Sequence, residues 1–447
     1  MTNDFMDGLK TFLRIPSIST LPEHKPDIRR AAEFCLNELR RAGMNSTELI
    51  EGAGGRNPLV YGEWLNAPGK PTILFYGHYD VQPPDPLEEW TSPPFEPTVR
   101  GDNLYARGAA DDKGQVYLLC KAIASVLQST GKLPVNVKFL IEGEEESGGE
   151  HINDYVAGKP ARLAADAAVI CDTEMFAPEM PTICVGLRGI VYGELHVEGA
   201  NHDLHSGVYG GAAPNPLQAI AEILCALKDR EGRILIPGFH DRVRAPSPKE
   251  REAWARLPFD EAAYTQQEMG ARTLVGEPGV PLFDRLWARP TLEVHGIRGG
   301  FTGEGAKTVI PARAVAKISA RLVADQDPAE SAAQIQEAVV RARPKGVSAE
   351  FRVLHTAAPS LVDPDNRYIR DAADAMKQVF GADTVYVRSG GSIPIVGLFD
   401  KHLNIPSVMM GFGLPDDNIH APNEKMYLPN LFRGVDAVKR YLAILGA

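Results

Sequence analysis

Two acidic clusters, Asp111-Asp112-Lys113-Gly114 and Glu144-Glu145-Glu146-Ser147, border apolar stretches of this chain, and His78-Tyr79-Asp80 lies just upstream of the first. Carboxylates crowded beside a hydrophobic core repel one another and lose hydration unless a cation neutralises them. Asp, Glu and His together form a donor set for divalent metals of hard-to-borderline character. The chemistry this implies is metal-dependent hydrolysis.

The elements that must position these residues can be read from hydrophobic patterning. Residues 71–76 (PTILFY), 135–141 (VNVKFLI) and 167–171 (AAVIC) are short, nearly continuous apolar runs, as expected of strands covered on both faces. Between the first two, Val116, Leu119, Cys120, Ile123 and Leu127 recur at helical spacing over 112–130, and Gly131 stands where a glycine would end that helix. Strand, helix, strand is the βαβ pattern. From about residue 186 the texture changes. Residues 190–198 and 314–323 alternate apolar and polar, as one-sided antiparallel strands do, with amphipathic helices over 215–227 and 330–342. The stretch 230–290, rich in Pro, Arg and Glu, reads as a lid-type insertion with short helices. After about residue 358 the α/β texture returns, with a helix over 368–380, a core strand at 407–410 and a closing helix over 428–445. The expected fold is α/β. A domain with a mixed, mainly parallel sheet and flanking helices (1–186 and 359–447) is interrupted by an inserted α+β lid or dimerisation domain (187–358).

In open α/β sheets ligands gather outside the carboxyl ends of the strands, and the acidic and histidine residues fall there. His78 follows the first strand, Glu144–Glu146 the second and Asp172 the third. His420 lies in the loop GFGLPDDNIHAPNE after strand 407–410, and Asp111 in the loop RGAADDKG before the first helix. Taken singly, each has an ordinary reading: Asp111-Asp112 as a helix N-cap pair, the glutamates as a solvated loop, His420 as a surface histidine. All of those readings would have to hold at once at one sheet edge, so the joint arrangement favours a metal site.

Composition bounds the rest. The 447 residues are 44% hydrophobic and 23% charged, ordinary for a soluble globular chain of two or three domains. A formal net charge of −11 argues against a nucleic-acid partner. No apolar run reaches the roughly 18–20 residues that span a bilayer, and the N-terminus lacks a secretory pattern. Five scattered cysteines with no C-x-x-C pair read as free thiols in a reducing cytoplasm.

The segments GHYDVQP, RGAADDKG, EGEEESGG, the CDTE at Asp172, NHDLHSGVYGG, GEGAKTVIPARAVAKISARLV, RSGGSIPI and DDNIHAPNE together resemble the M20 metallopeptidases, within them the carnosinase-like cytosolic dipeptidase branch. The resemblance runs through essentially the whole chain. It implies that His78, Asp111 and Asp172 hold one divalent ion and Asp111, Glu146 and His420 a second. Asp111 would bridge the two, and Asp80 would orient His78. Zinc is the first expectation, with manganese or cobalt as alternatives. Glu145 would be the general base, which leaves Glu144 without a catalytic role. His205 would stabilise the oxyanion from the partner subunit of a homodimer. Arg321 would bind the substrate's terminal carboxylate, assisted by Thr308, Gly391 and Ser392.

The activity implied is hydrolysis of dipeptides with a free C-terminal carboxylate. The alternative is an N-acyl amino acid deacylase of the same family. Asp172, where deacylating relatives tend to carry Glu, favours the peptidase, as does the long 230–290 insertion. A non-catalytic binding protein on the same frame should have lost some of these ligands, and all of them are present. Some carnosinase-like members carry a lid histidine where this chain has Asn366-Arg367, a departure that weighs against a β-alanyl-histidine preference.

Overall fold

The structure, a computed structural model, describes residues 3–447. It divides into two compact units. One comprises the chain up to Val185 with Val362–Val387 and Leu398–Ala447, the other Gly186–Leu361 with Arg388–Gly397. The main strands are, in chain order, β1 (Ser46–Ile50), β2 (Leu59–Trp64), β3 (Thr72–His78), β4 (Asn136–Glu142), β5 (Ala167–Ile170), β6 (Thr182–Leu187), β7 (Gly189–Glu198), β8 (Thr291–Gly299), β9 (Arg313–Leu322), β10 (Ser348–Ala357) and β11 (Ser407–Met409).

In the first unit the sheet runs β1-β2-β4-β3-β5-β11-β6. Its centre is parallel: β3 pairs in parallel with β4 and β5, and β11 with β5. Antiparallel pairs flank that centre, β1 with β2, β2 with β4 and β11 with β6. This is the mixed, mainly parallel α/β sheet expected. Its central strands are buried along almost their whole length, which is why they read as continuous apolar runs. The helix Lys113–Thr130 buries Val116, Leu119, Cys120 and Ile123, and packs with helices Lys25–Ala42 and Leu428–Gly446. Gly131 ends it with a φ of 72°, its N–H bonding to the Leu127 carbonyl at 2.8 Å. Asp112 sits at the N-cap position but does not cap. Its carboxylate instead accepts from the His78 N–H at 3.1 Å, tying the helix start to the end of β3.

The second unit is an antiparallel sheet in the order β8-β9-β7-β10. Helices Pro216–Leu227 and Pro328–Ala342 supply Ile220, Ile223, Ile335 and Val339 to a core with Leu195 and Ile318. Asn215 and Asp327 cap these helices. Within the 230–290 stretch, helix Pro248–Ala255 opens on a Ser247/Glu250 capping box, and Trp254, Phe259, Phe283 and Trp287 form an aromatic cluster. No helix among the described residues is long and apolar enough to cross a membrane. All five cysteines are free thiols, Cys225 exposed and the others buried.

Candidate active site

The chain leaves β3 through helix Lys113–Thr130 to reach β4 on one side, then returns through helix Glu150–Gly158 to β5 on the other. The strand order therefore reverses between β3 and β5, and the carboxyl ends of these two strands flank a topological switch point. His78 is the last residue of β3, and Asp172 lies two residues beyond β5. His78 Nε2 stands 3.9 Å from an Asp172 oxygen.

Asp111 lies between two histidines. One of its oxygens is 3.0 Å from His78 Nε2, the other 2.9 Å from His420 Nε2. His420 Nε2 is also 3.3 Å from a Glu146 oxygen. Two groups that could hold a metal result, His78–Asp111–Asp172 and Asp111–Glu146–His420, each with ligand atoms within 4.8 Å of one another and with Asp111 in both. The donor set, two imidazoles and three carboxylates, suits divalent cations, and the buried His78 Nε2 has no hydrogen-bond partner of good geometry.

The electrostatics reflect this crowding. Burial would lower the His78 imidazole, but Asp111 and Asp80 raise it well above its ordinary value. Burial pushes Asp172 up to about 7, with Asp111 adding to the effect. His420 is pushed up to about 10 by hydrogen bonds to Asp111 and Glu146. Burial acts to raise Asp111 as well, but the hydrogen bonds from His420 and His78 outweigh it and hold the carboxyl below its usual range.

The three consecutive glutamates take separate directions from a single turn, Glu145–Ser147, preceded by Glu144. Glu144 is occupied structurally, accepting from the Asn57 N–H at 2.6 Å and the His151 N–H at 3.0 Å. Glu146 faces His420 and accepts from Gln82 at 2.7 Å. Glu145 lies in the field of His78, Asp172, Glu146 and Asp111, and burial drives its carboxyl well above the ordinary value. Asp80 sits behind His78, whose Nδ1 is 3.1 Å from the Asp80 main-chain carbonyl and 3.3 Å from its carboxylate, and that carboxylate also accepts from the Glu146 N–H at 3.1 Å.

Sequence reasoning missed two residues at this site. Glu424 is fully buried. It accepts from Arg107 at 2.7 Å and from the backbone N–H groups of Gly108, Ala110 and Asp111 at 2.9, 2.9 and 3.1 Å. Arg107, also buried, donates to the carbonyls of Pro83 and Ala421 as well. The pair joins the loop carrying Asp111 to the loop carrying His420. Its only trace in the sequence is a pair of charges, each inside a segment already singled out.

The remaining candidates lie on the second unit. His205 is exposed. Its Nδ1 accepts from the Gly207 N–H at 2.9 Å, and its neighbour Ser206 bonds through its backbone to the Thr308 carbonyl at 3.1 Å. Arg321 donates to the Ser392 hydroxyl at 3.0 Å, and Ser392 in turn donates to the Arg188 carbonyl. Arg188, also missed in the sequence, bonds to the carbonyls of Gly390 and Gly391. Asn366 caps helix Arg367–Phe380 by accepting from the Tyr368 N–H at 2.9 Å.

The fold agrees with that of known relatives. Residues 74–444 match the family described as Peptidase family M20/M25/M40, and the chain belongs to it. It is therefore an enzyme of a metal-dependent peptidase family, a hydrolase acting on peptide bonds. It is 31% identical to the Cys-Gly metallodipeptidase dug1 of Schizosaccharomyces pombe, over 98% of this chain and 95% of that one. It is 30% identical to the human Beta-Ala-His dipeptidase, over 97% and 88%. Among solved structures, it superposes with a TM-score of 0.87 on the M20 family metallo-carboxypeptidase Sso-CP2 from Sulfolobus solfataricus, at 31% identity and with both chains fully covered. The TM-score against human carnosine dipeptidase 1 is 0.85 at 28% identity, over 99% of this chain and 96% of that one.

Proposed function

We propose that the chain is a dipeptidase that cleaves dipeptides bearing a free C-terminal carboxylate. The observation that carries this reading is Asp111, whose two oxygens face two histidines, each histidine completed by a further carboxylate. His78, Asp111 and Asp172 would hold one divalent ion and Asp111, Glu146 and His420 the other, with zinc the first choice and manganese or cobalt next. Two such ions, when bound, supply a polarised scissile carbonyl and a water of lowered pKa. Glu145 accepts the proton of the attacking water and passes it to the leaving amine. Its raised affinity for a proton suits a group that must both take and return one. Asp80 holds His78 by its second ring nitrogen, through its main-chain carbonyl with its carboxylate close by, fixing the tautomer that leaves Nε2 as the ligand.

In this reading residues 1–186 and 359–447 are the catalytic domain and 187–358 the lid and dimerisation domain, to whose compact unit the segment Arg388–Gly397 also belongs. Arg321, Thr308, Gly391 and Ser392 receive the substrate's carboxylate end, and His205 acts across a homodimer interface. The cytoplasm is the proposed location. The names of the curated relatives support dipeptides over N-acyl amino acids as substrates.

The test is an assay of the protein, reconstituted with zinc or manganese, on dipeptides, their C-terminal amides and matched N-acetyl amino acids. Hydrolysis of the free dipeptides alone is expected, and Glu145→Ala should lower kcat by about 10²–10⁴-fold while keeping its metals. Preference for the N-acetyl substrates would make the chain a deacylase instead.

A further inference from the structure

The second unit holds two guanidinium groups around one loop, Gly390–Ser392. Arg188 donates from Nε to the Gly390 carbonyl at 3.1 Å, and its backbone N–H bonds to the Gly391 carbonyl at 3.0 Å. Arg321 donates to the Ser392 hydroxyl, which itself donates to the backbone carbonyl of Arg188, so one serine links the two arginines. Among the described residues neither guanidinium has a carboxylate within ion-pair distance. The acidic residue that acts most on Arg188 is Glu293, and that carboxylate is already paired with Lys228 at 3.0 Å. Arg188 Nη1 is buried with no hydrogen-bond partner. Gly390 makes room for this side chain, since a Cβ there would come within 2.6 Å of Arg188 Nη2.

Two neighbouring cations of this kind are costly to keep uncompensated. Burial, and then Arg321, hold Arg188 down to about 10, and burial holds Arg321 below its usual range. A single substrate carboxylate on Arg321 would leave one positive charge over.

We propose that Arg188 is a second carboxylate-binding residue, and that with Arg321 it selects dipeptides whose C-terminal residue is itself acidic, Asp or Glu. This rests on the reading of Arg321 as the anchor of the terminal carboxylate. Arg321 then takes the α-carboxylate and Arg188 the side-chain carboxylate, and the site carries as many negative as positive charges when filled.

The experiment compares Ala-Glu, Ala-Gln and Ala-Ala with the metal-loaded full chain. Glu and Gln differ by a charge and almost nothing in shape, so their ratio isolates the proposed contact. Wild type should favour Ala-Glu over Ala-Gln by about tenfold or more in kcat/KM, chiefly through KM. Arg188→Gln should bring that ratio to within about twofold of one, and Arg188→Lys should retain part of it. A thermal melt of each variant separates loss of the contact from loss of the fold.

Equal wild-type rates on Ala-Glu and Ala-Gln would overturn the inference while leaving the dipeptidase reading intact, and that comparison needs no variant. An Arg188→Gln protein that loses all three substrates in equal proportion would also overturn it, by making Arg188 a support for the loop alone. Failure to hydrolyse any of the three would overturn the dipeptidase reading, and this inference with it.

Discussion

At the residue scale, the titrating groups of the metal-free site set how its stability depends on pH. Burial pushes Asp172 up to about 7, and Asp111 adds to that; burial likewise pushes Glu424 up to about 7 against the opposing pull of Arg107. An acid raised in this way binds more protons folded than unfolded between about pH 4 and 7, so it withdraws stability as the pH rises through that window. His420, pushed up to about 10, contributes fully below about pH 6.5, and its contribution is lost as the pH climbs through 10. A cation held by the proposed ligands would need Asp172 ionised and His420 neutral, so its binding would release protons and strengthen as the pH rises. The Tm of the chelator-treated protein should therefore fall from about pH 5 to about pH 7, while the rise in Tm on adding zinc or manganese should grow over the same interval. Calorimetry with and without metal reads both. A metal-induced rise of equal size at the two pH values would mean that no proton is displaced, and that the cation binds elsewhere.

At the scale of elements, the Asp111 loop and the His420 loop are fixed by the Arg107–Glu424 pair, whose members are 317 residues apart in the chain. Removing one partner of a buried pair typically costs about 3–5 kcal/mol, because the other is left charged and unpaired. Glu424→Gln also turns an amide N–H toward backbone donors that had faced an oxygen. We expect it to lower Tm and to weaken metal binding by about 10–100-fold, since groups that support ligands carry that much of the affinity. Equilibrium dialysis of the variant decides: a lower Tm with unchanged metal affinity would make the pair a structural fastener only. This pair was not legible in the sequence, because nothing in a linear pattern couples a buried arginine to a glutamate so far away. The central strands were legible because sheet burial on both faces writes a continuous apolar run. Even there the pattern stops short. The run at 71–76 ends before β3 does, since the strand continues through Gly77 to the polar His78. Asp112 misled in a different way. Its position before a helix suggests a cap, yet its carboxylate is drawn to the His78 N–H, a partner supplied by another strand. Arg188 follows the apolar run of β6 directly, and its sequence neighbours gave no sign of the loop it holds.

At the scale of the molecule, His205 offers a test of the proposed homodimer. The residue is exposed, its Nδ1 is engaged by the Gly207 N–H, and Nε2 is left available to another group. The sheet that shares its unit ends on two long edge strands, with exposed Val294 and Ile297 on β8 and exposed Val353 and Leu354 on β10. Edges of this kind invite pairing or covering by a second copy. If His205 serves the partner's site, two inactive variants should repair each other. His205→Ala lacks the imidazole but keeps Glu145, whereas Glu145→Ala lacks the base but keeps His205. In a mixed dimer the subunit with Glu145 faces a partner with His205, so one of its two sites is complete. Random exchange makes half the dimers mixed, and activity should return to about a quarter of wild type, from two proteins each nearly inert alone. If His205 acted within its own subunit, no mixture could contain a complete site, and the activity would stay at the level of the parents. Coexpression with two affinity tags isolates the mixed dimer, in which the recovered activity should double to about half of wild type.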